Sequence, residues 1–113
     1  MWKIIQSPEF EYWFLSQEPG LQEDIFAILR VLEQKGPSLG RPYVDTLKGS
    51  EITNLKELRV QSKGRPIRIL FVFDSERMAV LLTAGNKQDD KRFYSKLIRQ
   101  AEKIYDDYLG NIQ

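Results

Sequence analysis

Two apolar runs, Leu55–Val60 and Arg65–Phe73, are separated by only Gln61, Ser62, Lys63 and Gly64, and this spacing restricts the fold more than any other feature. A two-residue loop at Lys63–Gly64 puts Gly where a positive φ is wanted and makes the runs an antiparallel hairpin with Ser62 opposite Arg65. Leu58 then faces Ile69 and Val60 faces Ile67, so one side of the hairpin is apolar and continues into Phe71 and Phe73. The other side sets Arg59 directly opposite Arg68, with Glu57 opposite Leu70. Like charges facing across a ladder are destabilising, and a cation inside an apolar strand is costly unless an anion meets it. Apolar patterning therefore selects a register that electrostatics alone would avoid, and the arginine pair is expected to serve an anionic ligand.

A third strand follows. Asp74–Arg77 reads as a turn and Met78–Ala84 as a strand. A two-residue loop at Ser75–Glu76 would set Phe73 against Met78, Phe71 against Val80 and Ile69 against Leu82. Arg68 would then lie between Arg59 and Thr83. Gly85, Asn86 and Lys87 are expected to leave the sheet at the same end, with Gly49 and Gly85 as turn glycines and Lys91 about one helical turn further on. A slip of one residue would carry each of these side chains to the opposite face.

The remaining segments supply helices. Trp2–Gln6 reads as a short strand, and Ser7 followed by Pro8 as an N-cap and first helical residue, with Glu9 and Glu11 in the first turn. Phe10, Trp13 and Phe14 form a buried stripe until Pro19–Gly20 ends that helix. Leu21, Ile25, Ile28 and Leu32 mark a second helix, stopped by Gly36–Pro37, so the pair reads as a helical hairpin packed on the sheet. Gly36 to Gly49 reads as a connecting loop holding a short strand from Tyr43 to Leu47. Asp89 or Asp90 caps a last helix with the stripe Phe93, Leu97, Ala101, Ile104 and Tyr108, while Arg92, Lys96, Arg99 and Lys103 line its solvated side. The expected class is α+β: N-terminal strand, helical hairpin, antiparallel meander sheet and C-terminal helix, forming one domain over 1–113.

Composition narrows the chemistry. The chain has no Cys and no His, which removes disulfides, zinc–thiolate sites, cysteine nucleophiles and the usual general base. Chemistry falls to carboxylates, Lys, Arg, Tyr, Ser or Thr, with no cofactor or metal expected; Ser95 and Thr83 have no evident base partner. Residues 1–54 hold 5 basic and 8 acidic side chains, whereas residues 55–103 hold 12 and 6. The C-terminal half thus concentrates positive charge suited to an anionic partner. No apolar stretch approaches bilayer length and no signal-peptide pattern opens the chain, so a cytoplasmic location with no membrane partner is expected.

The order of these elements resembles the RelE/ParE superfamily of toxin–antitoxin toxins, and within it the HigB-type, phage-derived branch. The residues that carry the resemblance are Leu55-Lys56-Glu57-Leu58-Arg59, Gly64 with Ile67-Arg68-Ile69, then Gly85-Asn86-Lys87 followed by Tyr94 and Ala101. The resemblance implies a ribosome-dependent, metal-independent mRNA endoribonuclease that inhibits translation and is neutralised by a helix-turn-helix, HigA-like antitoxin. It places Arg59 and Arg68 at basic strand positions that hold the scissile phosphate and Lys87 at a basic position after the last strand. Tyr94 lies one residue from the position of a tyrosine in the founding toxin. Glu57 stands where some relatives carry Lys and where other branches use a glutamate as base.

Cleavage without a metal needs a base for the 2′-hydroxyl, cations for the phosphorane and an acid for the leaving oxygen. Glu57, Arg59, Arg68, Lys87 and Tyr94 are the candidate catalytic set, with Glu57 equally suited to a salt bridge that neutralises an arginine. The proton donor is left open among Tyr94, Lys87 and Lys91. Lys56, Lys63, Arg65, Lys91 and Arg92 are candidate RNA contacts. Two alternatives stay open: a ParE-like, non-catalytic topoisomerase inhibitor, and a non-toxic RNA- or protein-interaction module on the same fold.

Overall fold

A computed structural model describes residues 1–111. The elements run β1 (Lys3–Gln6), α1 (Pro8–Leu15), α2 (Pro19–Lys35), a 3-10 turn (Gly36–Ser38), β2 (Val44–Thr46), β3 (Lys56–Ser62), β4 (Arg65–Phe73), β5 (Met78–Asn86) and α3 (Phe93–Asn111). The strands form one five-stranded sheet in the order β1-β5-β4-β3-β2. The expected meander is its centre; β1 adds to it in parallel beside β5, and β2 pairs antiparallel with β3.

The hairpin register is the one that patterning selects. Lys63 and Gly64 have φ of 51° and 78°, the two left-handed residues of a type I′ turn, whose twist matches that of the strands it joins. Leu58 pairs with Ile69, Arg59 with Arg68 and Val60 with Ile67.

The β4–β5 register differs from expectation. Arg77 adopts φ 60° and Asp74 N–H bonds the Met78 carbonyl at 2.9 Å, so the loop holds three residues rather than two. Phe73 therefore faces Ala79, not Met78, and Phe71 faces Leu81, not Val80. A bulge between Leu70 and Phe71 shifts the ladder again, leaving Ile69 opposite Ala84 and Arg68 opposite Gly85, not Leu82 and Thr83. Gly85 is thus a strand residue rather than a turn glycine. A Cβ there would come within 3.1 Å of the Phe93 ring, so its bare backbone lets the start of α3 close onto the sheet.

Each face of the sheet has its own apolar layer. Leu58, Val60, Ile67, Ile69, Phe71 and Leu81 pack under Phe10, Leu21, Ile25, Leu29 and Leu32 of α1 and α2. On the other side Leu70, Val72, Val80 and Leu82 meet Phe93, Leu97, Ala101 and Ile104, the expected stripe of α3. Burying each such side chain contributes roughly 1.5–3 kcal/mol before entropy is charged against it. No helix among the described residues is long and apolar enough to cross a membrane.

Ser7 ties the N-terminus to this frame. Its hydroxyl accepts from Phe10 N–H at 3.0 Å, as the cap reading expects, and also donates to the Leu82 carbonyl at 2.7 Å. Because Ser7 is buried, both partners would be left dry without it. Ser7→Ala is expected to cost about 1–2 kcal/mol of folding stability, measured by urea denaturation at fixed pH; Ser7→Thr should recover part of the loss.

Candidate functional site

The arginine-bearing side of β3 and β4 faces α3, but only the beginning of that helix reaches it. There the strands place Glu57, Arg59 and Arg68 on one surface by period-two alternation, and α3 adds Tyr94 from its first turn. Tyr94 O–H donates to Glu57 Oε1 at 2.6 Å. Arg59 Nε donates to Glu57 Oε2 at 3.1 Å, and Arg68 Nε lies 3.5 Å from Oε1. The Glu57 side chain is only 3% exposed. An ionised carboxylate at that depth is tolerated because two guanidinium groups and a phenol surround it. The like-charged Arg59–Arg68 pair is reconciled by the same carboxylate, which each of them approaches.

The chain of charges continues to the sheet edge. Arg59 Nη2 lies 3.2 Å from Asp45 Oδ2 on β2, and Arg41 Nη2 reaches the same oxygen at 3.0 Å. The hydrogen bond from Arg41 is the main reason the Asp45 carboxyl sits below its ordinary pKa, followed by the Thr46 N–H bond and the charges of Arg41 and Arg59, against some desolvation. Asp45 carries no motif; its only sequence mark is the four-residue spacing from Arg41.

Arg68 is less satisfied than Arg59. Its Nη1 donates to the Ile67 carbonyl at 3.1 Å, while its buried Nε has no hydrogen-bond partner among the described residues. The 3.5 Å approach to Glu57 is an ion pair without hydrogen-bond alignment. A guanidinium offers five donors, so this side chain, 13% exposed, keeps directional capacity for an incoming anion.

Lys87 joins the cluster from the loop after β5: its Nζ stands 5.3 Å over the Tyr94 ring centroid, a cation–π distance. Its backbone N–H bonds the Pro66 carbonyl at 2.9 Å, which fixes the loop to β4.

The candidate RNA contacts are dispersed. Lys56 alternates to the opposite side from Glu57, and its Nζ donates to Thr46 Oγ1 at 2.8 Å. Lys63 and Arg65 sit at the far hairpin end, where Glu18 pairs with both at 3.6 and 2.8 Å. Lys91 and Arg92 are exposed just before α3, on the side from which Tyr94 enters. Among the described residues, no carboxylate lies within ion-pair distance of Lys87, Lys91 or Arg92, and no group of acidic side chains could hold a metal ion.

The Tyr94 phenol is pushed above its ordinary pKa, first by burial and then by donating to the Glu57 carboxylate, with Arg68 opposing. A group whose folded pKa is raised contributes stability that is present below the unfolded value of about 10 and is lost as pH rises through the folded value. In ultraviolet titration, the difference between wild type and Tyr94→Phe should show one phenol ionising above pH of about 10. A difference curve centred at or below that pH would overturn the buried, Glu57-bonded placement of the Tyr94 phenol.

Comparison with known proteins agrees with this architecture. The family described as "Phage derived protein Gp49-like" matches residues 12–106. Two proteins of Mycobacterium tuberculosis that carry toxin names are close in sequence. HigB2 is 41% identical over 103 residues, 89% of this chain and 51% of that protein, so this chain spans about half its length. HigB3 is 38% identical over 109 residues, covering 96% of this chain and 94% of that protein. The crystal structure of the isolated E. coli RelE toxin superposes with a TM-score of 0.60 over 88% of this chain and 98% of that one. At 9% identity, that likeness speaks for the fold alone. With a family match across most of its length and two relatives near 40% identity, the chain belongs to the Gp49-like, phage-derived family of HigB-type toxins, built on a RelE-like fold.

Proposed function

We propose that this chain is the toxin of a toxin–antitoxin pair and acts as a metal-independent endoribonuclease on mRNA held by the ribosome, in the cytoplasm. The observation that carries the reading is Arg68: a guanidinium, 13% exposed, held beside a buried carboxylate by charge rather than by an aligned hydrogen bond. A phosphodiester can meet the exposed end of that guanidinium, whose fork suits it in shape and charge.

In this reading Arg68 and Arg59 grip the scissile phosphate and stabilise the charge that develops on its oxygens. Glu57 is too enclosed to touch the substrate itself, so it works through Tyr94. The 2′-hydroxyl gives its proton to the Tyr94 oxygen while the phenolic proton passes 2.6 Å to Glu57. The 2′-oxygen attacks phosphorus, a 2′,3′-cyclic phosphate forms, and the 5′-oxygen leaves. Lys87, held over the Tyr94 ring, protonates that oxygen. The raised Tyr94 pKa suits a relay in which the phenol is never left as a bare anion. The ribosome orients the mRNA on these groups. A HigA-like helix-turn-helix antitoxin neutralises the protein by covering the Arg59–Arg68 surface or displacing the start of α3.

One observation favours a non-catalytic module instead. Both Arg59 and Glu57 are engaged in internal pairs. Arg68 is held less completely, by an ion pair without an aligned bond to Glu57, and Lys87 has no ion-pair partner among the described residues; cleavage is the reading that uses them.

Brief induction is expected to arrest growth and produce translation-dependent mRNA ends at ribosomal A-site positions, mapped by primer extension. Intact transcripts with altered DNA supercoiling would move the assignment to a topoisomerase inhibitor.

Arg68→Ala should lower cleavage about 100-fold or more with little change in melting temperature, because Glu57 keeps its bonds from Arg59 and Tyr94. Arg68→Lys should restore little, since a point charge does not reproduce the fork. A large fall in melting temperature that accompanies the lost activity would make Arg68 a structural ion-pair partner.

A further inference from the structure

We infer that a recess at the open end of the β3 edge is a nucleobase subsite, which rests on reading Arg59 and Arg68 as phosphate ligands. The recess has a volume of about 650 Å³, and both arginines line it. Its floor is apolar, made by Ile28 and Val31 of α2 with Val60 of β3. Tyr43 forms a wall and is half exposed. The backbone places that wall: Arg59 N–H donates to the Tyr43 carbonyl at 2.8 Å, so Tyr43 is the cross-strand neighbour of Arg59. Gln61, two residues beyond Arg59 on the same strand, is exposed at its polar edge, and Asp24 of α2, whose carboxylate accepts from the Ser62 hydroxyl, also lines it.

These features suit one chemical class. A nucleobase is flat and apolar on its faces and polar along its rim. Apolar floor and phenol ring meet its faces, and base–aromatic stacking of this kind is sequence-tolerant in itself. The Gln61 amide presents a donor and an acceptor side by side, which pair at two points with the edge of a base and so discriminate among bases. Since Arg59 and Arg68 belong to both places, a nucleotide whose phosphate sits on them has its base within reach of the recess.

A peptide strand fits less well. β2 already occupies the β3 edge opposite Lys56–Leu58, the Tyr43 carbonyl takes the Arg59 N–H, and the Lys63–Gly64 turn closes the other end. Only Gln61 is left on that edge, too short a register for an added strand. Tyr43 and Gln61 therefore select nucleotides at or next to the cut, while the arginines and Tyr94 act whatever the base.

The experiment compares wild type, Tyr43→Phe, Tyr43→Ala and Gln61→Leu on ribosomes programmed with a panel of mRNAs that differ at the A-site codon. Ends are mapped by primer extension, and melting temperatures are recorded alongside. Tyr43→Phe should match wild type, because the ring and not the hydroxyl stacks. Tyr43→Ala should cut its best codons about tenfold more slowly. Gln61→Leu should keep cutting with a flattened codon preference. Identical rates and preferences in all four proteins overturn the subsite.

A second arm measures binding of a short single-stranded RNA and its abasic analogue to each protein. If wild type cuts nothing, the endoribonuclease reading fails and this arm alone decides the recess. An abasic analogue bound as tightly as its parent overturns the subsite. Unchanged cutting together with lost antitoxin binding overturns it too, and gives the recess to a protein partner.

Discussion

Glu57 is the group on which the site is built. Burying a carboxylate costs several kcal/mol unless charge and hydrogen bonds replace the lost water. Here Arg59 and Tyr94 supply the hydrogen bonds and Arg68 a second positive charge. These four residues come from β3, β4 and α3, so a single carboxylate fixes how the hairpin and the last helix meet. It also permits Arg59 and Arg68 to face each other across the ladder, an arrangement that mutual repulsion would otherwise oppose. The cations are thereby oriented before any ligand arrives, and that pre-organisation is what electrostatic catalysis requires.

The two faces of the sheet divide the work. One is covered by α1 and α2, whose apolar stripes bury Leu58, Val60, Ile67, Ile69 and Phe71. The other is sealed by α3 only from Phe93 onward, and the site occupies the margin where the helix begins. Gly85 sets that margin, because a side chain there would press on Phe93 and lift Tyr94 from Glu57. Charge is also uneven along the chain. Acidic side chains concentrate in the N-terminal half, including Glu18 and Asp24 on the helical hairpin, whereas the central segment carries the excess of Lys and Arg.

The likeness to the RelE toxin at 9% identity and to HigB2 and HigB3 near 40% separates two kinds of information. A sheet with helices on both faces can be kept by many sequences, provided that apolar positions alternate correctly. A fold alone does not carry a function. The functional reading therefore rests on the particular side chains at the start of α3: an arginine with donors to spare, a phenol bound to a buried carboxylate, and a lysine over its ring.

Local chemistry made much of this protein legible from its residues. Lys63–Gly64 set the β3–β4 register, which put Arg59 opposite Arg68. Ser7–Pro8 marked the start of α1, and the apolar repeat from Phe93 to Ile104 marked the buried stripe of α3. Each depends on residues adjacent in sequence or on a period of two or 3.6. The tertiary structure decided the rest. A third loop residue at Arg77 and the bulge at Leu70–Phe71 moved Gly85, rather than Thr83, beside Arg68. The parallel pairing of β1 with β5, the reach of Tyr94 to Glu57, the clamp of Asp45 on Arg59 and the recess between α2 and the β3 edge all join residues distant in the chain. Such contacts are set by which surfaces pack and how closely backbones approach, and no local pattern encodes them.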